Sequence, residues 1–439
     1  QTISPSVTVQ LKDGSDANVA SSGVSITMAL SSGTGALSGT LTRITNGGGL
    51  ATFDDVSINL AGSKQLTVTS SGLPDTTSAS FNITPSIATN LVFVQQPSTA
   101  SAGASISPSV TVQLRDAYGN DVDSSGVAIA MSLTSGSGTL SGTSPQSTNA
   151  TGLATFNNLG IDVAGSKELT ATHGSLTSAV SSSFTINPDV FTKLQLLVPG
   201  ESASPGAGSG KTGSPSPRTA GTSFNVTVNA VDTYWNLANS VSHIIGITSS
   251  DVNAALPVNA ALVNGTKSFS VTLKTAGSAL VTATDIDSGA VTPNTSSSIT
   301  INAGAFTKLQ LLVPGESAAP GTASGKTGTP TAQTAGTGFS VTVNAVDANW
   351  NLVNSITDIV GITSSDANAT LPSNALLSAG TQTFNVTLRT AGTATVTASD
   401  VTDGSKSLNT SPSVTVNAGT FNRLQLLVPG ETASPGSAT

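Results

Sequence analysis

Two internal periods constrain this chain more than any single motif does. FTKLQLLVPGESA at Phe191 recurs at Phe306, 115 residues on, and FNRLQLLVPGETA follows at Phe421 after the same interval. TVNAVD (Thr227, Thr342), GITSSD (Gly246, Gly361) and LKTAG/LRTAG (Leu273, Leu388) keep that offset. Upstream, SPSVTVQL (Ser4, Ser107) and GLATF (Gly49, Gly152) repeat at an offset of 103. Units of this length are too long for a solenoid turn and match one small domain. The spacing predicts a row of domains at 1–88, 89–190, 191–305 and 306–420, with 421–439 opening a further repeat. Such a row spans distance rather than performing chemistry.

The side-chain pattern predicts strands. Phe224, Val226, Val228 and Ala230 alternate with Asn225, Thr227 and Asn229. Phe269, Val271 and Leu273 do the same, as do Ala394, Val396 and Ala398. A period of two with β-branched residues marks half-buried strands, and no segment sustains a helical period. About seven strands per unit are expected, in the last long unit near 307–313, 337–346, 357–363, 368–371, 382–389, 393–399 and 411–417. Thr275-Ala276-Gly277 and Thr390-Ala391-Gly392 suit hairpins between neighbouring antiparallel strands. The expected fold is all-β: tandem immunoglobulin-like β-sandwiches arranged as an extended rod. Only Ala303-Gly304-Ala305 separates two of the units, so the joint is expected to bend little.

Composition narrows the function. Charged residues are 9% of the 439, the net charge is −8 and cysteine is absent. An acidic, sparsely charged chain excludes nucleic acid as a natural partner. The lack of cysteine removes disulfides and thiolate metal sites. No apolar run approaches the ~20 residues of a membrane span. The surface is hydroxyl-rich. Asn-x-Ser/Thr sequences at Asn225, Asn368 and Asn385 admit glycans, although the motif alone is weak.

The segment LVFVQQPSTASAGASISPSVTVQLRDAYGNDV (91–122), with GLATFNNLGIDVAG (152–165) and SSSFTINP (181–188), resembles the bacterial Ig-like repeats of large surface proteins of the invasin/intimin type. TVNAVDTYWN (227–236) stands in the long units where TVQLRDAYGN (111–120) stands in the short one. The first unit departs from the pattern, with Ala17 in the place of Asn120. The resemblance covers nearly the whole chain. It implies a secreted or surface-exposed stalk, fibre or adhesin, and it specifies fold far better than activity.

Several constellations invite chemistry. GSGKTG (208–213) and ASGKTG (323–328) look like phosphate loops, but Pro205 and Pro320 occupy the first glycine's place and no helix follows. Both lie in Gly/Pro/Ser/Thr-rich insertions, 200–221 and 315–336, which read as structureless loops dispensable for folding. Asp116…Asn120, Asp232…Asn236 and Asp347…Asn351 share a spacing that suits turn capping. The alternative is calcium, with Asp232, Asp347, Asp400 and Asp403 as weak candidates and Asp285 and Asp287 in the matching loop; calcium needs six to eight oxygens, more than the sequence clusters. Trp235 and Trp350 are expected to plug the ends of their sandwiches, with sugar stacking as the alternative. Lys193 and Lys308 are expected to be solvated; an isopeptide role fails on Arg423 in the third copy. His173 and His243 do not recur, and no nucleophile–base pair assembles, so neither an enzyme nor a cofactor is expected. Leu197, Leu312 and Leu427 have the parity opposite to the core and are candidates for contacts between domains or chains.

These readings converge on an extracellular structural fibre or stalk, its partners being copies of itself or neighbouring repeats. The alternative is an adhesin that binds carbohydrate or protein through the Trp-bearing turn. The first unit lacks the strand equivalent to Leu91–Gln96, while 421–439 carries a first strand with no domain behind it. Either the sequence is a window on a longer repeat protein, or Leu424–Val428 fills the gap in another molecule by strand exchange.

Overall fold

The computed structural model describes residues 2–437, and every regular element among them is a β-strand. Among the described residues no helix is long and apolar enough to cross a membrane. The chain divides into two compact units, Gln1–Asp189 and Val190–Thr439. The β-sandwich fold expected from the alternating residues is the fold observed.

The second unit contains the same sandwich twice. In the later copy, Lys308–Leu312, Gly338–Val346 and Thr381–Thr387 form one antiparallel sheet. Opposite it, Ile359–Ser364 pairs with Val396–Asp400, and Val414–Asn417 pairs with Gly392–Ala394. The earlier copy matches it, with Lys193–Leu197, Ser223–Val231 and Thr266–Thr272 facing Ile244–Ser249, Val281–Asp285 and Ile299–Asn302. Each copy has its own core. Leu194, Leu196, Val226, Val228, Phe269 and Val271 pack with Ile245, Val281 and Ile299; the equivalent cluster runs from Leu309 to Val416. The alternation places the apolar half of each strand inside, and burial of each such side chain stabilises by ~1.5–3 kcal/mol.

In the first unit, Asn90–Gln95, Val110–Arg115 and Leu153–Phe156 make one sheet, opposite one centred on Ala128–Ser135 and Gly165–Thr172. Residues 2–83 pair Val7–Gln10 only with Leu50–Phe53, beside a sheet built on Ser25–Ser32 and Gly62–Ser70. Met28, Phe53 and Leu66 form the core there.

Three expectations need correction. First, the Thr-Ala-Gly turns do not close hairpins. Thr266–Thr272 pairs with Ser223–Val231, whereas Gly277–Ala279 pairs with Ile299–Asn302, so the turn carries the chain from one sheet to the other. Gly277 and Gly392 do have positive φ (126° and 135°), which a crossing of this kind requires of the backbone. Second, 368–371 is not a strand: Thr370 makes a single bridge to Thr387. Third, the long insertions are ordered. Glu201–Ala203 pairs with Lys211–Gly213, and Glu316–Ala318 with Lys326–Gly328, each as a small hairpin. Arg218–Thr219 and Gln333–Thr334 then run parallel to Ile299–Asn302 and Val414–Asn417.

The hairpin covers the outer face of its sheet, which explains two polar residues the alternation leaves outside. Gln195 and Gln310 are each only 1% exposed. Gln195 Nε2 donates to the Gly210 carbonyl at 2.6 Å, its Oε1 accepts from Asn229 at 2.9 Å, and Asn229 accepts from Thr266 at 2.6 Å. Gly325, Gln310, Asn344 and Thr381 repeat this ladder. Buried polar groups need such partners. Leu197 and Leu312, on the same parity, are half-buried. Residues 421–437 form no strand; Leu424 is 98% exposed, whereas its counterparts Leu194 and Leu309 are fully buried, and Leu427 is exposed as well.

Candidate functional site: a connector between successive sandwiches

The repeated Asp-x-x-x-Asn turn has a tight internal geometry. Asp347 Oδ1 accepts the backbone N–H groups of Asn349 (2.8 Å) and Asn351 (2.9 Å), and Oδ2 accepts Asn351 Nδ2 at 2.9 Å. Asp232 holds Tyr234 and Asn236 in the same way, and so does Asp116 with Tyr118 and Asn120. Asp347 and Asn351 are each 1% exposed. These are Asx turns whose carboxylate is fully engaged.

The same groups reach into the preceding sandwich. Asp347 Oδ2 accepts the N–H of Gly304, in the three-residue link, at 2.7 Å. Asn351 Oδ1 accepts the Ala276 N–H at 2.7 Å, and its Nδ2 donates to the Lys274 carbonyl at 2.9 Å. Within the first unit, Asp116 Oδ2 accepts Ser86 N–H at 3.0 Å. Asn120 Oδ1 accepts Ala61 N–H, and its Nδ2 donates to the Asn59 carbonyl, both at 2.9 Å. Asn59-Leu60-Ala61-Gly62 and Lys274-Thr275-Ala276-Gly277 therefore occupy the same role. One side-chain amide bonds an alternate carbonyl and N–H of the sheet-crossing turn, while the adjoining carboxylate fixes the link. Removing either partner would leave buried polar groups unsatisfied, at ~1–3 kcal/mol each.

A second carboxylate rigidifies the turn that is gripped. Asp251 Oδ2 accepts the N–H groups of Lys274 (2.6 Å) and Thr275 (3.0 Å), and Oδ1 accepts the Thr275 hydroxyl at 2.8 Å. Asp366 treats Arg389 and Thr390 identically. Burial alone would raise the Asp251 and Asp366 carboxyls, but these hydrogen bonds outweigh it and hold both below the usual value. Asp116 is held down similarly, burial being outweighed by bonds from Asn120, Ser86 and Tyr118. Asn253 Nδ2 adds a bond to the Pro320 carbonyl at 3.3 Å, from one sandwich to the hairpin of the next. Asn368 makes the corresponding bond to Pro435, at 3.0 Å.

The tryptophans belong to this hairpin and not to the sandwich ends. Trp235 and Trp350 are half-buried and have positive φ (70° and 67°), a conformation few non-glycine residues adopt. A Cβ on Gly210 would lie 2.1 Å from Trp235 Cδ2, and one on Gly325 equally close to Trp350. Only glycine permits that approach. Lys193 and Lys308 lie over the two rings at 3.7 and 3.5 Å, as cation–π pairs rather than solvated charges. Burial lowers the pKa of both lysines, against the neighbouring Asp232 and Asp347 charges.

The lysine of each GKTG sequence turns inward. Lys211 Nζ meets Glu201 at 2.9 Å and donates to the Leu196 carbonyl at 3.2 Å; Lys326 meets Glu316 at 3.0 Å. The glutamates are 2% exposed at their side chains. The motif is thus a glycine beneath an indole followed by one arm of a buried ion pair. His173 Nδ1 lies 2.7 Å from the Ala128 carbonyl, and His243 pairs with Asp285 at 2.8 Å.

No family model and no curated protein matches this chain. Solved structures do. The adhesin FdeC of Escherichia coli is 17% identical over 74% of this chain and 96% of its own, with a TM-score of 0.30. Invasin, a bacterial integrin-binding protein, is 16% identical over 94% of this chain and 76% of its own, with a TM-score of 0.26. Domains 1–6 of the surface layer protein SbsC are 17% identical over 90% of this chain and 50% of their own, with a TM-score of 0.21. The D0-D1 domain of intimin is 14% identical over 49% of this chain and 98% of its own, with a TM-score of 0.20. At these identities no residue role is carried across.

Sequence reasoning found both halves of the connector separately and missed their pairing. Ala-Gly-Ser/Thr recurs at 61–63, 164–166, 276–278 and 391–393, and the Asp-x-x-x-Asn turn at 116–120, 232–236 and 347–351. Their partners lie 59 to 77 residues apart, beyond the reach of any local pattern.

Proposed function

We propose that this chain is a structural segment of a surface stalk or fibre, in which the Asp/Asn connector fixes the two sandwiches of each unit to one another. The observation that carries this reading is the recurrence of one hydrogen-bonded joint, built from the same residue types, in both units. A three-residue link pinned by a buried carboxylate and an amide resists bending. A row of independent binding modules would need no such joint. The sparsely charged, hydroxyl-rich surface suits side-by-side packing into fibres at the cell surface.

Small-angle scattering tests this directly. If all four sandwiches stand in line, strands of ~20 Å plus end loops make a particle longer than ~120 Å. Asn120→Ala combined with Asn351→Ala is expected to shorten the mean length through bending at two joints, with the sandwiches intact by circular dichroism. A compact particle, or one whose dimensions ignore these substitutions, would refute the stalk. Against the carbohydrate-binding alternative weighs the packing of both half-buried indoles on a glycine and a lysine of their own repeat.

A further inference from the structure

Two places in the second unit hold the same short turn. In the earlier sandwich, Asp251 Oδ1 accepts the Asn253 N–H at 3.1 Å and the Thr275 hydroxyl at 2.8 Å. A hydroxyl has one proton, so the Thr275 oxygen is left as an acceptor, and Asn253 Nδ2 donates to it at 3.1 Å. The other Nδ2 proton is thereby aimed at the Pro320 carbonyl, 3.3 Å away. The later sandwich repeats this cradle. Asp366 Oδ1 accepts the Asn368 N–H (3.0 Å) and the Thr390 hydroxyl (2.8 Å). Asn368 Nδ2 donates to the Thr390 oxygen at 3.2 Å and to the Pro435 carbonyl at 3.0 Å.

The two occupants share a conformation as well as a position. Ala319-Pro320-Gly321-Thr322 and Ser434-Pro435-Gly436-Ser437 are each closed by the fourth N–H donating to the first carbonyl, at 3.4 and 3.2 Å. The fourth hydroxyl donates to the same carbonyl, at 2.7 and 2.8 Å. Gly321 and Gly436 have φ of 80° and 79°. Proline followed by a residue of positive φ makes a type II turn, whose central peptide is flipped relative to type I; that flip turns the proline carbonyl to the asparagine. Glycine is needed twice over. The φ favours it, and a Cβ on Gly321 or Gly436 would run into the hydroxyl of Thr275 or Thr390. The settings of the two turns differ. Gly321 belongs to an ordered hairpin and donates its N–H to the Asn349 carbonyl of its own sandwich. Gly436 lies among residues 421–437, which form no strand. The cradle holds the turn in both.

We propose that the Asp-Asn-Thr cradle is a docking site for a Pro-Gly type II turn in its own right, binding a short segment of the form Ala/Ser-Pro-Gly-Thr/Ser from the chain's own repeats, with or without a folded sandwich attached. Selectivity follows from the chemistry. The carboxylate is spent on fixing the threonine proton, the amide offers one donor, and the hydroxyl leaves room only for a residue without a side chain. A turn tethered to its cradle works at an effective concentration on the order of millimolar, so a free peptide should bind with a Kd in that range. The proposal does not rest on the stalk reading, because a compact particle would leave the cradle as it is.

The test uses the whole chain carrying Gly436→Val, which strains the tail turn and vacates the later cradle without touching a core. The probe is a synthetic peptide, ETASPGS, with blocked ends. The readout is the Asn368 side-chain amide resonance, assigned by its loss in Asn368→Ala. A saturable shift at millimolar peptide is expected. The reversed peptide ETASGPS should give none, and adding Thr390→Val, which keeps the backbone N–H groups that bond Asp366, should abolish it. The parent chain, its cradle filled by its own tail, should respond at least several-fold more weakly. No shift in the vacated chain would overturn the proposal. So would an equal shift with the reversed peptide, or a parent response as strong as that of the vacated chain.

Discussion

Replacing Asn351 by alanine isolates the contribution of the connector. The substitution removes the acceptor of the Ala276 N–H (2.7 Å) and donors to the Lys274 carbonyl and to Asp347 Oδ2, both at 2.9 Å. No core side chain is touched. At ~1 kcal/mol net per bond, the joint should lose about 3 kcal/mol. At ~1.4 kcal/mol per tenfold, opening of the joint becomes about a hundredfold easier. Amide hydrogen exchange reads this at the Ala276 N–H, where protection should fall ~10- to 100-fold, while amides inside Gly338–Val346 change little. Asn351→Asp is the sharper control. It keeps the size but sets a carboxylate against Asp347 Oδ2 and the Lys274 carbonyl, so its loss should exceed that of alanine. If Ala276 exchanges within twofold of the parent in a folded Asn351→Ala chain, the amide does not hold the joint and the reasoning fails.

Further expectations concern the hairpin and the acid limb. Gly325→Val drives a Cβ into the Trp350 indole at a φ of 74° and should release the ring, with a red-shifted emission and a local cost of ~2–4 kcal/mol; unchanged fluorescence would contradict the close packing. Lys326→Met leaves the 2%-exposed Glu316 side chain unpaired and should cost ~3–5 kcal/mol, whereas adding Glu316→Gln should recover much of it, a double-mutant cycle that a surface ion pair would not reproduce. Asp116, Asp251 and Asp366 have lowered folded-state values; their stabilisation is complete above the ordinary carboxylate value of 3.8 and is lost as pH falls from there through the lowered folded values, so melting temperatures should drop in that acid window, and Asp251→Asn should flatten the drop.

The sandwich was legible because it is written at period two. Val226, Val228, Phe269 and Val271 declare a buried face, and the polar residues between them declare the other. The hairpin was hidden because its arms are three residues long and polar, with no alternation to read. Its order comes from features invisible at that scale: a glycine under an indole, a Glu–Lys pair ten residues apart, and a glutamine on a neighbouring strand. The same composition that signals a mobile loop here supplies positive-φ corners and close approaches. Trp235 and Trp350 misled for a related reason. Their size predicts core burial, but the left-handed turn that Asp232 or Asp347 caps points each ring outward onto the insertion.

This arrangement links the two unusual features of the long repeats. The turn residue that carries the indole stands one position before the asparagine that grips the preceding sandwich. The hairpin packs on that indole, and through Asn253 and Pro320 it also touches the preceding sandwich. The insertion therefore adds a second contact across the joint, separate from the Asp/Asn pair. The shorter unit, with Tyr118 at 57% exposure and QPSTASAG in place of the hairpin, has the clamp without the brace. The joint with the extra contact is expected to be the stiffer of the two, and the difference between them lies in whether the loop after the first strand is long enough to fold back on its own sheet.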